Sequence, residues 1–171
     1  MRDTQAPFPK ELPTWRGRRP RSARRALTPA TTARVRVLFV CFHNAARSQI
    51  AQGFFEQLGG LEHSACSAGT HPAKALNPQV VEVMAEVGID LRGRTPRRLT
   101  PSLLEVADVV VRLLRPDPED WPWPEGTRYL DWELELPADP DTRDLNEIRK
   151  LRDQVRTRVE EFAASLGTIA R

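Results

Sequence analysis

The chain is poor in cysteine, with two in 171 residues, Cys41 and Cys66. Two cysteines cannot build the disulfide framework of a small secreted domain. A reducing, cytoplasmic setting is therefore expected, and a single reactive thiol becomes the feature to look for. No stretch approaches the roughly 20 apolar residues of a membrane helix, which excludes a bilayer-spanning chain. The N-terminus lacks the apolar core of a secretory signal. Residues 1–33 also lack any helical or strand period; they hold five prolines and the cluster Arg16, Arg18, Arg19, Arg21, Arg24 and Arg25. Residues 1–34 read as a disordered basic extension. The alternatives are sequence upstream of a true start near Val35, or an arm that touches acidic partners. A uniformly basic surface is missing too. The formal charge is +3 overall, but residues 1–34 carry +7 and residues 35–171 carry −4. Nucleic acid is thus not an expected partner of the folded part. The composition, 40% hydrophobic and 29% charged, is that of an ordinary globular protein with enough length for one core.

Order is expected from Val35 onward. Val35-Arg36-Val37-Leu38-Phe39-Val40-Cys41 is β-branched and nearly continuous in apolar character, as in a buried parallel strand. A helix follows over roughly 47–58, with Ile50, Phe54 and Leu58 four residues apart and Gly59-Gly60 as its stop. Residues 62–67 read as a second short strand running out at Ser67-Ala68-Gly69-Thr70. Asn77-Pro78 is an N-cap with a first-turn proline, opening a helix that ends at Gly88. Thr100-Pro101 repeats the signal for a short helix to about Val106. Residues 108–114 form a third core strand, and Thr127–Trp132 are a candidate fourth. Residues 116–126, with four prolines and two tryptophans, are a loop. Leu145, Ile148, Leu151, Val155, Val159, Phe162 and Leu166 step by three or four through a long last helix ended by Gly167. Strands alternating with helices imply an α/β domain over 35–171 with a parallel sheet.

The chemistry concentrates in Cys41-Phe42-His43-Asn44-Ala45-Ala46-Arg47-Ser48, between a buried strand and a helix N-terminus. Unpaired backbone N–H groups and the positive end of a helix make an anion site there. The same field favours a thiolate, so Cys41 is the candidate nucleophile. A loop curled round an oxyanion brings Arg47 back over it, offering two parallel donors to a tetrahedral anion. Ser48 can donate its hydroxyl to the sulfur. Asn44, tolerant of left-handed backbone, can hold a tight curl. His43 reads as a loop residue rather than an acid or base, and Cys66 as a core residue rather than a resolving thiol.

With these residues in place, the chain resembles the low-molecular-weight protein tyrosine phosphatases and the related ArsC-type arsenate reductases. The likeness centres on Cys41–Ser48 within Val37–Gln52. It continues through Ser67-Ala68-Gly69-Thr70, Leu76-Asn77-Pro78, residues 86–91 and Ala107-Asp108-Val109-Val110. The resemblance implies a three-layer α/β fold with a four-stranded parallel sheet flanked by helices. It implies the catalytic set Cys41, Arg47 and a general-acid aspartate, with Phe42, His43, Asn44, Ala45, Ala46, Arg47 and Ser48 as the oxyanion loop. Asp139, followed by Pro140, is the expected acid; Asp131 is the other candidate, read as a strand-end residue.

Phosphate and arsenate are near-isosteres, so the step after thiolate attack separates the activities. Gln49 after Arg47-Ser48, the text Ser-Ala-Gly-Thr-His-Pro at 67–72, and Asp141-Thr142 in place of the tyrosines of a phosphotyrosine rim resemble the reductase branch. Thioredoxin-coupled members carry two further cysteines after the third strand; here that segment reads Arg112-Leu113-Leu114, with Trp121-Pro122 at the later position. The expected activity is therefore a single-cysteine arsenate reductase completed by an external low-molecular-weight thiol such as mycothiol, with a possible glutaredoxin-like reductant. A phosphatase acting on phosphotyrosine or phosphoarginine proteins or small aryl phosphates is the alternative, and a non-catalytic oxyanion or phosphoprotein-binding module is a third reading. Cys66 could replace the external thiol only if its Cα lay within about 7 Å of that of Cys41. Gln52 stands where arsenate reductases often place a potassium-binding glutamate, so no metal and no other cofactor is expected. Trp121 and Trp123 read as core caps or as a wall of the site.

Overall fold

The computed structural model describes residues 35–58, 63–113, 123–125, 127–137 and 142–166. The basic extension, Gly59-Gly60, Trp121-Pro122, Asp139-Pro140-Asp141 and Gly167 lie outside the described residues.

The elements run β1 (Arg36–Cys41), α1 (Arg47–Leu58), β2 (Ser64–Gly69), α2 (Pro78–Ala85), α3 (Pro101–Val106), β3 (Val109–Arg112), β4 (Arg128–Asp131) and α4 (Leu145–Ser165). The sheet is parallel throughout, in the order β2-β1-β3-β4. This is the four-stranded α/β sheet expected from the resemblance. The central strand β1 carries only buried residues from Val37 to Cys41, which is why its sequence does not alternate.

Alternation survives in which face each side chain takes. Val37, Phe39 and Cys41 share one core with Val109, Val111 and Leu113 and with the buried faces of α1, α2 and α4. Leu38, Val40, Cys66, Ala68 and Val110 share a second, smaller core with Leu99 and with Leu103 and Leu104 of α3. Helices thus cover both faces, as parallel sheets require. Trp132 joins the larger core, its ring 5.8 Å from Phe39 and 6.1 Å from Phe162. No helix among the described residues is long and apolar enough to cross a membrane.

Several bounds differ from the sequence expectation, β3 (Val109–Arg112) and β4 (Arg128–Asp131) being shorter than the expected 108–114 and 127–132. β2 lies two residues further on, because Gly69 still pairs with Cys41 in the ladder. The second helix ends at Ala85 rather than Gly88. Gly88 takes φ 79°, and the Ile89 N–H closes back on the Met84 carbonyl at 3.0 Å, a glycine-dependent stop just past the last turn.

Asn77 caps α2, its Oδ1 accepting from the amides of Gln79 at 2.9 Å and Val80 at 3.4 Å. Replacing Asn77 by alanine should cost about 1 kcal/mol of stability, measured by urea unfolding at an unchanged m-value.

Candidate active site

Cys41 ends β1, and the chain then curls through Phe42–Ala46 into the first turn of α1. The curl is held from outside. The amide of Thr70 donates to the Cys41 carbonyl (3.2 Å), His71 to Phe42 (2.8 Å), Ala73 to His43 (2.9 Å) and Asn77 to Ala45 (3.0 Å). In a trans peptide the C=O and the next N–H point in opposite directions. Turning those four carbonyls toward residues 70–77 therefore turns the N–H groups of Phe42, His43, Asn44 and Ala46 the other way. Four donors facing one side, next to a helix N-terminus, make an anion cradle.

Gly69 allows the two segments to meet. A Cβ there would lie 2.7 Å from the Phe42 carbonyl oxygen and 2.8 Å from the Asn44 nitrogen. Both obstacles are backbone and cannot rotate away.

Inside the curl, the Cys41 Sγ receives the Asn44 N–H at 3.2 Å and lies 2.9 Å from Ser48 Oγ. Cys41 is only 2% exposed: the thiol sits on the floor of the loop, contacted there by polar groups. Asn44 organises this floor. It is fully buried and adopts φ 50°, the left-handed geometry that asparagine tolerates. The Arg97 amide, which can only donate, bonds Asn44 Oδ1 at 2.7 Å, and Gln49 Nε2 reaches the same oxygen at 3.1 Å. The carboxamide orientation is thereby fixed, and Nδ2 donates to Ser48 Oγ (2.8 Å) and Ser67 Oγ (2.9 Å). With Ser48 Oγ already accepting from Asn44, its own hydrogen is left to donate to the sulfur. Ser67 passes its hydrogen to Gln52 Oε1 at 2.7 Å.

Arg47 is half-buried, and its Nη1 donates to the Leu113 carbonyl at 2.8 Å. Leu113 is tied to β1 by its own amide, 2.7 Å from the Val40 carbonyl. The guanidinium is thus drawn back across the C-terminal end of the sheet, and among the described residues its Nε and Nη2 edge remains open to a ligand. Ala45 and Ala46 are partly buried and supply backbone. At the rim, Phe42 is 37% exposed and stacks on His71 (centroids 4.4 Å apart, planes 18°), with His43 edge-on at 4.7 Å.

Asp131 is engaged elsewhere. Its carboxylate takes the Arg112 fork at 2.6 and 2.7 Å on the α3 side of the sheet, the face opposite Cys41. Trp123 packs on that side as well, against Tyr129 at 5.7 Å; of the two readings, it caps the core. Among the described residues no cluster of three His, Cys, Asp or Glu side chains could hold a metal ion.

Cys66 pairs in register with Leu38 and points into the smaller core. It lies three residues down the strand from the Gly69 that faces Cys41. At about 3.3 Å per residue and 4.8 Å between strands, the two Cα atoms are roughly 11 Å apart. That exceeds the reach of a disulfide, and the thiols face opposite sides of the sheet. Burial also pushes the Cys66 thiol up to about 12.

The sequence pointed to Cys41–Ser48 but not to what holds it: the amides of residues 70–77, the Arg97 amide and the Leu113 carbonyl. The one sequence signal for that scaffold was Gly69 at a strand end, where glycine marks close backbone approach.

The comparisons with known proteins agree with this geometry. A model of the low molecular weight phosphotyrosine protein phosphatases matches residues 36–170. The chain belongs to that family. Within it, the chain is 38% identical to a putative arsenate reductase of Halobacterium salinarum over 133 residues, 72% of this chain and 87% of that protein. It is 35% identical to the glutaredoxin arsenate reductase of a Synechocystis strain, over 77% of this chain and 98% of that one. A solved arsenate reductase in the phosphate binding state superposes with a TM-score of 0.68 at 34% identity, covering 77% of this chain and 98% of that one. The family and these relatives are enzymes.

Three outcomes test the geometry. Gly69→Ala should displace the loop and abolish protection of Cys41 by inorganic phosphate against alkylation, while circular dichroism shows the fold retained. In the native protein a disulfide reagent at pH 7–8 should titrate one thiol, Cys41, and a second only on unfolding. Cys66 makes stability depend on pH. Between its ordinary value of 9.0 and about 12 the unfolded chain loses the proton and the folded chain keeps it. The Cys66 contribution to stability is complete below pH 9 and is lost as pH rises through that window, a slope that Cys66→Ala removes.

Proposed function

We propose that this enzyme is an arsenate reductase with one catalytic cysteine and an external thiol as reductant. The observation that carries the reading is the placement of the only other cysteine, Cys66, across the sheet from Cys41. The cradle and Arg47 orient arsenate with one arsenic–oxygen bond in line with the sulfur. Cys41 attacks arsenic, a sulfur–arsenic bond forms, and one oxygen departs as water after accepting a proton. We assign that proton to Asp139. The inward N–H groups and the Arg47 edge hold the charge on the remaining oxygens. An external thiolate then attacks the Cys41 sulfur. A sulfur–sulfur bond forms, the sulfur–arsenic bond breaks with its electron pair going to arsenic, and arsenite leaves. A second thiol, on a small molecule or a glutaredoxin-like protein, reduces the mixed disulfide and restores Cys41. The relatives named as arsenate reductases, one of them a glutaredoxin arsenate reductase, support this reading.

A phosphatase is the second reading, favoured by the same cradle, since phosphate fits where arsenate does and water could complete the reaction. Turnover of arsenate with a low-molecular-weight thiol and a glutaredoxin separates the two. The reductase reading expects arsenite formation, abolished in Cys41→Ser and retained within about twofold in Cys66→Ala. Aryl phosphate hydrolysis without arsenate turnover would assign the phosphatase. Binding of either anion without turnover would leave a binding module.

A further inference from the structure

Arg47 depends on the Leu113 carbonyl, and Leu113 follows directly on Arg112 at the end of β3. β3 is four residues long, and its outer neighbour β4 is a four-residue edge strand with both end residues exposed. A sheet end this short needs something besides its ladder to stay fixed.

Arg112 supplies it. Its Nε and Nη2 form a two-point fork with the Asp131 carboxylate, the residue paired with it across the ladder. Its guanidinium carbon lies 5.1 Å from the Trp123 ring centroid and 5.1 Å from that of Tyr129, so aromatic groups flank the fork. Tyr129 is anchored in turn, its hydroxyl donating to the Pro124 carbonyl at 2.8 Å. The Arg112 carbonyl takes the Trp132 amide at 2.9 Å. One side chain thus ties β3, β4 and the 123–125 segment together. All of this lies on the α3 side of the sheet, so Arg112 does not touch the cradle. Side chains alternate along the strand, and the next residue, Leu113, faces the other core, where its carbonyl receives Arg47.

We propose that Arg112 is a positioning residue for the oxyanion site, its caged fork fixing the end of β3 so that the Leu113 carbonyl holds the Arg47 guanidinium in place. The inference rests on reading Cys41–Ser48 as an oxyanion cradle, and it holds for arsenate and phosphate alike.

The test is a double-mutant cycle on the full chain, with inorganic phosphate as the probe. Alkylation of Cys41 by neutral iodoacetamide is followed at increasing phosphate. The rate without phosphate reports the thiol and its loop; the protection curve gives the phosphate Kd. Arg112→Met should weaken phosphate by at least about fivefold, leave the phosphate-free alkylation rate within about twofold, and cause no further loss when added to Arg47→Ala. Equal loss in both backgrounds would mean that Arg112 acts on the fold at large, and would overturn the proposal. An unchanged Kd would overturn it too. Should Arg112→Met fail to fold, Asp131→Asn, which keeps the shape of an exposed side chain and weakens the fork, is taken through the same cycle and read by the same criteria. Failure of phosphate to protect the unmodified chain would overturn the cradle itself, and this inference with it. Protection together with full additivity would overturn this inference alone.

Discussion

The site depends on one backbone constraint: the peptides of the Cys41–Ala46 curl are held with their carbonyls outward. Four amides from residues 70–77 do this, and they reach the loop because Gly69 has no side chain. Each such bond is modest by itself, with a net worth of about 1 kcal/mol. Their joint effect is geometric. They preset which way the N–H groups face, so the cradle need not reorganise when an anion arrives, and preorganised donors are the ones that stabilise developing charge. Asn44 closes the arrangement from inside by fixing Ser48 against the sulfur.

In the proposed mechanism the sheet decides how the reaction continues once the adduct has formed. Strand alternation puts Cys41 in the core beneath α1, α2 and α4 and Cys66 in the core beneath α3. A thiol on the wrong face cannot attack an adduct on Cys41, however close the two are in sequence. Where the resemblance leads to a relay cysteine in thioredoxin-coupled members, this chain reads Arg112-Leu113-Leu114; Leu113 bears on Arg47 by its carbonyl, and in the proposal above Arg112 does so by bracing the strand. In the proposed mechanism the end of β3 serves oxyanion binding, and reduction falls to an outside thiol.

Much of this was legible in the sequence because local signals and global fold agree. β1 could be read from an unbroken apolar run, α1 from its four-residue spacing, α4 from six turns of periodicity, and α2 and α3 from Asn77-Pro78 and Thr100-Pro101. Cys41, Asn44, Arg47 and Ser48 could be read because their chemistry is local to a strand–loop–helix junction. The left-handed Asn44 followed from its residue type. The rest is long-range. The amides of Thr70, His71 and Ala73 carry no side-chain signature, so their grip on the loop was invisible. The Arg97 amide, 53 positions from Asn44, and the Leu113 carbonyl, 66 from Arg47, are backbone groups brought near only by folding. The sequence pattern puts β2 two residues early because Ser-Ala-Gly resembles a turn more than a strand, and only the pairing of Gly69 with Cys41 keeps it in the sheet.

The external-thiol route is tested most directly by the mass of the intact chain, trapped by acid quench during turnover with excess arsenate and a small thiol. By that route the chain is heavier by one thiol, less two hydrogens, with peptide mapping placing the mixed disulfide on Cys41 and a free thiol on Cys66. A chain lighter by two hydrogens, with Cys41 joined to Cys66, would contradict it.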